Sequence, residues 1–169
     1  MSGDDEVFAS AEHGNLDFVC SETARSGRLR RMIYNLRTAH LERYKERLLA
    51  RRIRRFDETN WWQWGRGYHL TDRPRIYVNH KTRQARPFFV HPCIQYDGSV
   101  LAVFPRDPAA DVRALCEALN EVDWADLGFV CDGRFLFSQR ALENAPLPEA
   151  FSAFLPVRAA RGAPAGALV

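Results

Sequence analysis

Three tryptophans in four positions, Trp61, Trp62 and Trp64, followed by Arg66 and Tyr68, open a segment dense in aromatic and basic side chains. Arg73, Arg75, Lys81, Arg83 and Arg86 continue it through two extended-looking runs, RIYVN and PFFVH. A guanidinium fork suits a guanine edge or a phosphate, and a flat ring suits a base or a thymine methyl. Taken singly, tryptophans are core residues and arginines are solvated surface. Both types packed into one short segment predict contact with nucleic acid. Within it, Lys81, Arg83 and Arg86 lie on the polar connection NHKTRQAR and suit entry into the major groove. Asn79 has the amide geometry that pairs with adenine, and Arg66, Arg73 and Arg75 suit phosphate or guanine. Arg134, Gln139 and Arg140 form a second set, at the turn and just past the last strand of a later hairpin.

Motifs for catalysis are missing. There is no Gly-rich phosphate loop, nucleophile elbow or HExxH pair. The acids do not fall into the pattern of a metal-dependent nuclease core. Cys20, Cys93, Cys116 and Cys131 are scattered without a CxxC pair, which predicts reduced, mostly buried thiols. His91-Pro92-Cys93 has no zinc-ligand spacing. No run of about 18 apolar residues is present, and the acidic start MSGDDEVFASAEH is unlike a secretory signal, so the expected compartment is cytoplasmic, with no membrane partner.

The elements that must position these residues show an uneven charge. Residues 25–55 hold 12 Lys/Arg against two acids, a local net of +10, while the rest of the chain carries −7. Such a block is an electrostatic footprint for phosphate or for another acidic surface. Leu29, Met32, Ile33 and Leu36 fall at helical spacing, and His40, Tyr44 and Leu48 extend the stripe, predicting one long basic helix from about Ser26 to Arg55. LDFVC at 16–20 has strand character without an evident partner. Downstream, RIYVN and PFFVH, then 94–96 and 99–104 joined through Asp97-Gly98, predict an antiparallel meander. Asp107-Pro108 reads as a helix start, and Val112, Leu115, Cys116 and Leu119 as the buried face of that helix. A second hairpin turns on Asp132-Gly133, with Phe135 and Phe137 on its core face. A short helix follows near Ser138, and PVRAARGAPAGALV reads as a tail.

The fold expected is therefore α+β, with a long basic N-terminal helix, then a mostly antiparallel sheet with one or two covering helices. The organisation expected is a lead-in at 1–22, a basic helical segment at 23–58, a DNA-recognition domain at 59–150 and a flexible tail at 151–169.

Residues 60–148 resemble the C-terminal target-recognition region of N6-adenine DNA methyltransferases of type II restriction–modification systems. The resemblance is carried, in order, by NWWQWGR, RPRIYVN, KTRQARPFF, YDGSVLAVFP, LCEALNEVDW and GFVCDGRFLFSQRALENAPLP. It implies recognition of a short duplex DNA site, with adenine methylation performed by a catalytic domain that flips the base and uses S-adenosylmethionine. This chain departs from the family in lacking the Asp/Asn-Pro-Pro-aromatic tetrapeptide and the glycine-rich cofactor motif. The cofactor and the chemistry would accordingly belong to a catalytic domain outside this sequence, whether on a separate methyltransferase catalytic chain or in a longer gene of which this is a truncated product or fragment. This chain by itself is expected to bind rather than catalyse. Two other readings stand beside it: a small metal-dependent nuclease or restriction endonuclease subunit, which needs a carboxylate cluster, and a basic protein-interaction module docking on an acidic partner.

Overall fold

The computed structural model describes residues 15–34, 36–51, 56–63 and 71–154. The expected tail beyond 154 and most of the expected lead-in lie outside the described residues. The chain divides into two compact units that do not follow chain order, Met1–Asp72 with His91–Val100, and Arg73–Val90 with Leu101–Val169. Antiparallel sheets and short helices make the fold α+β.

In the first unit, β1 (Asn15–Phe18) pairs antiparallel with β2 (Arg30–Ile33), Leu16 opposite Met32 and Phe18 opposite Arg30. Between them lies a single helical turn, α1 (Thr23–Ser26), closed by Gly27 at φ 70. A left-handed residue after a helix reverses the chain at little steric cost only when it is glycine. That reversal brings residues 30–33 back along 15–18.

The single long basic helix is therefore not what forms. Its first part is β2, and the rest of the described stretch holds only α2 (Ala39–Glu42) and α3 (Lys45–Leu49). Thr38 caps α2 by accepting the Leu41 N–H at 3.2 Å. Tyr44, at φ −112 and ψ 6, leaves the helical region and separates the two turns. The helical spacing of Leu29, Met32, Ile33 and Leu36 was outweighed by a β1 partner that satisfies the backbone of residues 30–33.

The strand expected without a partner thus has one, and its end has a second. Val19 forms an isolated parallel bridge with Tyr96, its N–H donating to Gln95 O and its carbonyl accepting the Asp97 N–H, both at 2.9 Å. Residues 94–96 therefore do not pair with 99–104 as expected. Asp97-Gly98 lacks the positive φ at glycine that a two-residue hairpin needs. Instead the Asp97 carboxylate, 5 % exposed, accepts the Ser99 N–H at 2.8 Å, the Ser99 hydroxyl, and the Arg30 guanidinium at 2.6 Å.

In the second unit, β3 (Ile76–Asn79) lies between β5 (Phe88–Phe89) and β6 (Val100–Val103). Tyr77 pairs antiparallel with Phe89, and Val78 with Phe88. All four β3 residues are buried, as a central strand requires. After β3 the chain changes sheets through His80 alone. β4 (Lys81–Thr82) joins β8 (Arg134–Leu136) and β7 (Val130–Cys131) in a second sheet of order β4-β8-β7. The Phe137 N–H donates to His80 O at 2.9 Å, carrying that pairing one residue further. The expected meander is thus corrected: β3 has neighbours on both sides, and part of NHKTRQAR is itself a strand.

One helix, α4 (Val112–Asn120), covers β5. Its cap is Asp111 rather than Asp107-Pro108, with the Asp111 carboxylate accepting the Arg113 and Ala114 N–H groups at 2.9 and 3.1 Å. Asp107 closes the preceding turn, accepting the Ala109 N–H at 2.9 Å. The core joins Ile76, Val78 and Phe88 to Leu115, Cys116, Leu119, Trp124, Phe129 and Phe137. Trp124 is at its centre, with ring centroids 4.9–5.4 Å from Phe88, Phe129 and Phe137 and its indole N–H donating to Leu119 O at 2.8 Å. Ser138 caps a last short helix, α5 (Gln139–Glu143), and a 3-10 turn spans Glu149–Phe154.

Strand β5 is an edge strand, and α4 closes it. The Asn120 side chain accepts the Phe88 N–H and donates to Phe88 O, both at 2.9 Å. One amide side chain thus stands in for a neighbouring strand at the residue whose backbone groups point away from β3.

Candidate nucleic-acid interface

The register of the β4-β8-β7 sheet decides which side chains share a surface. Lys81 is opposite Leu136, Thr82 opposite Phe135, Val130 opposite Phe135, and Cys131 opposite Arg134. Directly paired residues share a face, and alternate residues along a strand do too. One face therefore carries Thr82, Phe135 and Val130, with Phe135 packed against the core. The other carries Lys81, Leu136, Arg134 and Cys131 and is turned outward. Lys81 and Arg134 are diagonal neighbours across this face, at Cα separations of about 7–8 Å for such pairs. Arg83, exposed, continues the alternation from Lys81 past the end of β4. Lys81 and Arg134, 53 positions apart in the chain, thus come to share one face.

None of Lys81, Arg83, Arg134 or Arg140 forms an ion pair among the described residues. Like charges facing each other across strands without acids destabilise the sheet modestly, and an anion bound over them reverses the sign. Arg140 and Gln139 occupy the first turn of α5, where Gln139 donates to the Glu143 carboxylate at 2.8 Å.

The remaining predicted residues are differently placed. Arg86 is exposed, but its guanidinium is held by Glu117 and, at 2.8 Å, by Glu121. The Glu121 hydrogen bond and the Glu117 charge raise its pKa further above the ordinary arginine value. Its charge is more than balanced locally, so it offers a phosphate far less than Lys81 or Arg83. Arg75, 4 % exposed, stacks its guanidinium 4.9 Å from the Phe104 ring centroid. Arg73 donates to Pro105 O at 2.7 Å over the same ring. Asn79, 5 % exposed, ends the buried strand β3. Arg75 and Asn79 were expected on the binding surface; both are buried, Asn79 as the last residue of the central strand β3 and Arg75 just before that strand, against Phe104. Arg66 lies outside the described residues, as do Trp64 and Tyr68.

Of the tryptophan cluster, Trp61 is fully buried and meets Trp62 edge to face at 5.7 Å. Arg37 lies over both rings, at 5.7 and 5.6 Å, while also pairing with Glu42.

Sequence reasoning missed two features. Cys131 and Val130 are exposed on β7, beside Arg134, and only strand register reveals that. A cleft of about 340 Å³ runs between β5 and α4, lined by Arg86, Phe89, Val90, Arg113, Cys116 and Glu117 among others. Burial pushes the Cys116 thiol up to about 11, so it stays protonated near neutrality. Among the described residues, no three His, Cys, Asp or Glu side chains gather as a metal-ligand set, and no helix is long and apolar enough to cross a membrane. No family model, curated protein or solved structure matches this chain.

Proposed function

We propose that this chain is a sequence-specific double-stranded DNA recognition module of an N6-adenine DNA methyltransferase in a restriction–modification system. Adenine methylation and S-adenosylmethionine belong to a catalytic domain outside this chain. The observation that carries the DNA-binding part is the outward face of the β4-β8-β7 sheet, which Lys81 and Arg134 share and which exposed Arg83 follows, none of the three ion-paired among the described residues. The adenine-methyltransferase part rests on the ordered motif resemblance across residues 60–148.

Four cations without an ion pair among the described residues, Lys81, Arg83 and Arg134 with Arg140 of α5, give a slope of log affinity against log salt of roughly −3 to −4 if each meets a phosphate. Between 50 and 200 mM salt, affinity for duplex DNA then falls about a hundredfold. The test is binding of the full chain to a random duplex pool at those two salt concentrations, with sequencing of the bound fraction. Salt-sensitive binding that enriches a short motif containing an A·T pair is the expected result. A motif without one detaches the module from adenine methylation. No binding at either salt refutes the DNA reading and favours an acidic protein partner.

A further inference from the structure

The β7–β8 hairpin is more than part of a cationic surface. Both β7 residues are exposed, Val130 at 43 %, although they belong to opposite faces of the sheet. The turn that follows, Asp132 at φ 51 and Gly133 at φ 68, is the tight left-handed pair that continues the strand twist without splaying the strands. Residues 130–133 are therefore exposed on both faces of a narrow arm, with Arg134 opposite Cys131 in the pair that closes the turn, on the outward face. Beyond β8, one strand spacing away, β4 presents Lys81, with Arg83 just past it.

We infer that this arm enters the major groove of the duplex and that Arg134 reads a guanine there, while Lys81 and Arg83 grip phosphates at the groove rim. The inference rests on the DNA-binding reading above and assigns roles within that site. A two-stranded ribbon fits a major groove about 12 Å wide, whereas a third strand at about 4.8 Å spacing does not fit beside it. The strand left at the rim is β4, and its long flexible cations reach the phosphate wall. Asp132 favours the same orientation: a carboxylate is repelled by phosphates but can accept a hydrogen bond from a cytosine amino group on the groove floor.

Four full-length proteins, wild type, Arg134→Lys, Lys81→Ala and Arg83→Ala, should be put through selection from a random duplex pool and salt titration on the selected site. Arg134→Lys keeps the charge and loses the planar fork. It should lose preference at one guanine by about tenfold to a hundredfold, with the salt slope unchanged. Lys81→Ala and Arg83→Ala should keep the motif, bind all sequences more weakly, and each lower the slope by about 0.9. An Arg134→Lys protein that retains the full motif overturns the inference, because a phosphate contact tolerates lysine. Blurring of the motif by Lys81→Ala or Arg83→Ala overturns it too, as does wild-type binding without any motif. Wild-type protein that binds no duplex at all instead takes down the DNA-binding reading beneath it.

Discussion

Replacing Asn120 by alanine should open the edge of the β5-β3-β6 sheet. The wild-type side chain makes two hydrogen bonds to the backbone of Phe88, a residue only 3 % exposed. Alanine removes both partners and leaves a buried N–H and a buried C=O unsatisfied, at about 1–3 kcal/mol each. Alanine at the last helical position returns roughly 0.5 kcal/mol of helix propensity. The net cost is about 1.5–5.5 kcal/mol, or roughly 3–20 °C in melting temperature for a chain of this size. Because the chain has two compact units, the readout should be local: native-state exchange of the Phe88 amide, beside the overall denaturant midpoint. Asn120→Asp should be no better than alanine, since it retains the acceptor for Phe88 N–H but turns a carboxylate oxygen toward Phe88 O. If the alanine variant lies within 0.5 kcal/mol of wild type and Phe88 exchanges no faster, the amide is not acting as a surrogate strand.

Three further predictions concern titration and the first unit. The Cys116 thiol has a raised pKa, so the folded state holds its proton longer than the unfolded state, and unfolding free energy should fall as pH rises from about 9 to about 11; at pH 8 a thiol reagent on native protein should label exposed Cys131 well before Cys116. Burial lowers the His91 pKa below the ordinary value, so its stabilising contribution should be complete above about pH 6.5 and decline as pH falls toward that lowered pKa, followed by its imidazole NMR shifts. Asp97→Ala should cost about 1–3 kcal/mol, chiefly by removing the acceptor of the Ser99 N–H and opening the 97–99 turn while half-exposed Arg30 turns to water, whereas an unchanged denaturant midpoint would mean that the turn holds itself without the carboxylate.

Much of the second unit was legible from local chemistry. Asp132-Gly133 announced a hairpin because few residue pairs tolerate two positive φ angles, and both residues adopt them. The stripe Val112, Leu115, Cys116 and Leu119 announced one buried helix face, and all but half-buried Val112 are buried. Other local signals were read to the wrong effect. Asp107-Pro108 is a good cap pattern, yet Asp111 captures the helix four residues later. Asp97-Gly98 resembles the second hairpin's turn, but its carboxylate is claimed by Arg30 and Ser99.

The sequence by itself determined the α+β character, the hairpin at 132–133, the covering helix and the crowding of cations with aromatics. These follow from side-chain period, φ preference and composition, which act over a few residues. Only the tertiary structure decided that residues 30–33 are a strand, that Arg75 and Asn79 turn inward, and that Lys81 comes to share a face with Arg134. Each depends on pairing between distant segments, where the backbone's need for hydrogen-bond partners outweighs local propensity. The same pairing separates Arg86, held between Glu117 and Glu121, from the cations that remain open to a ligand.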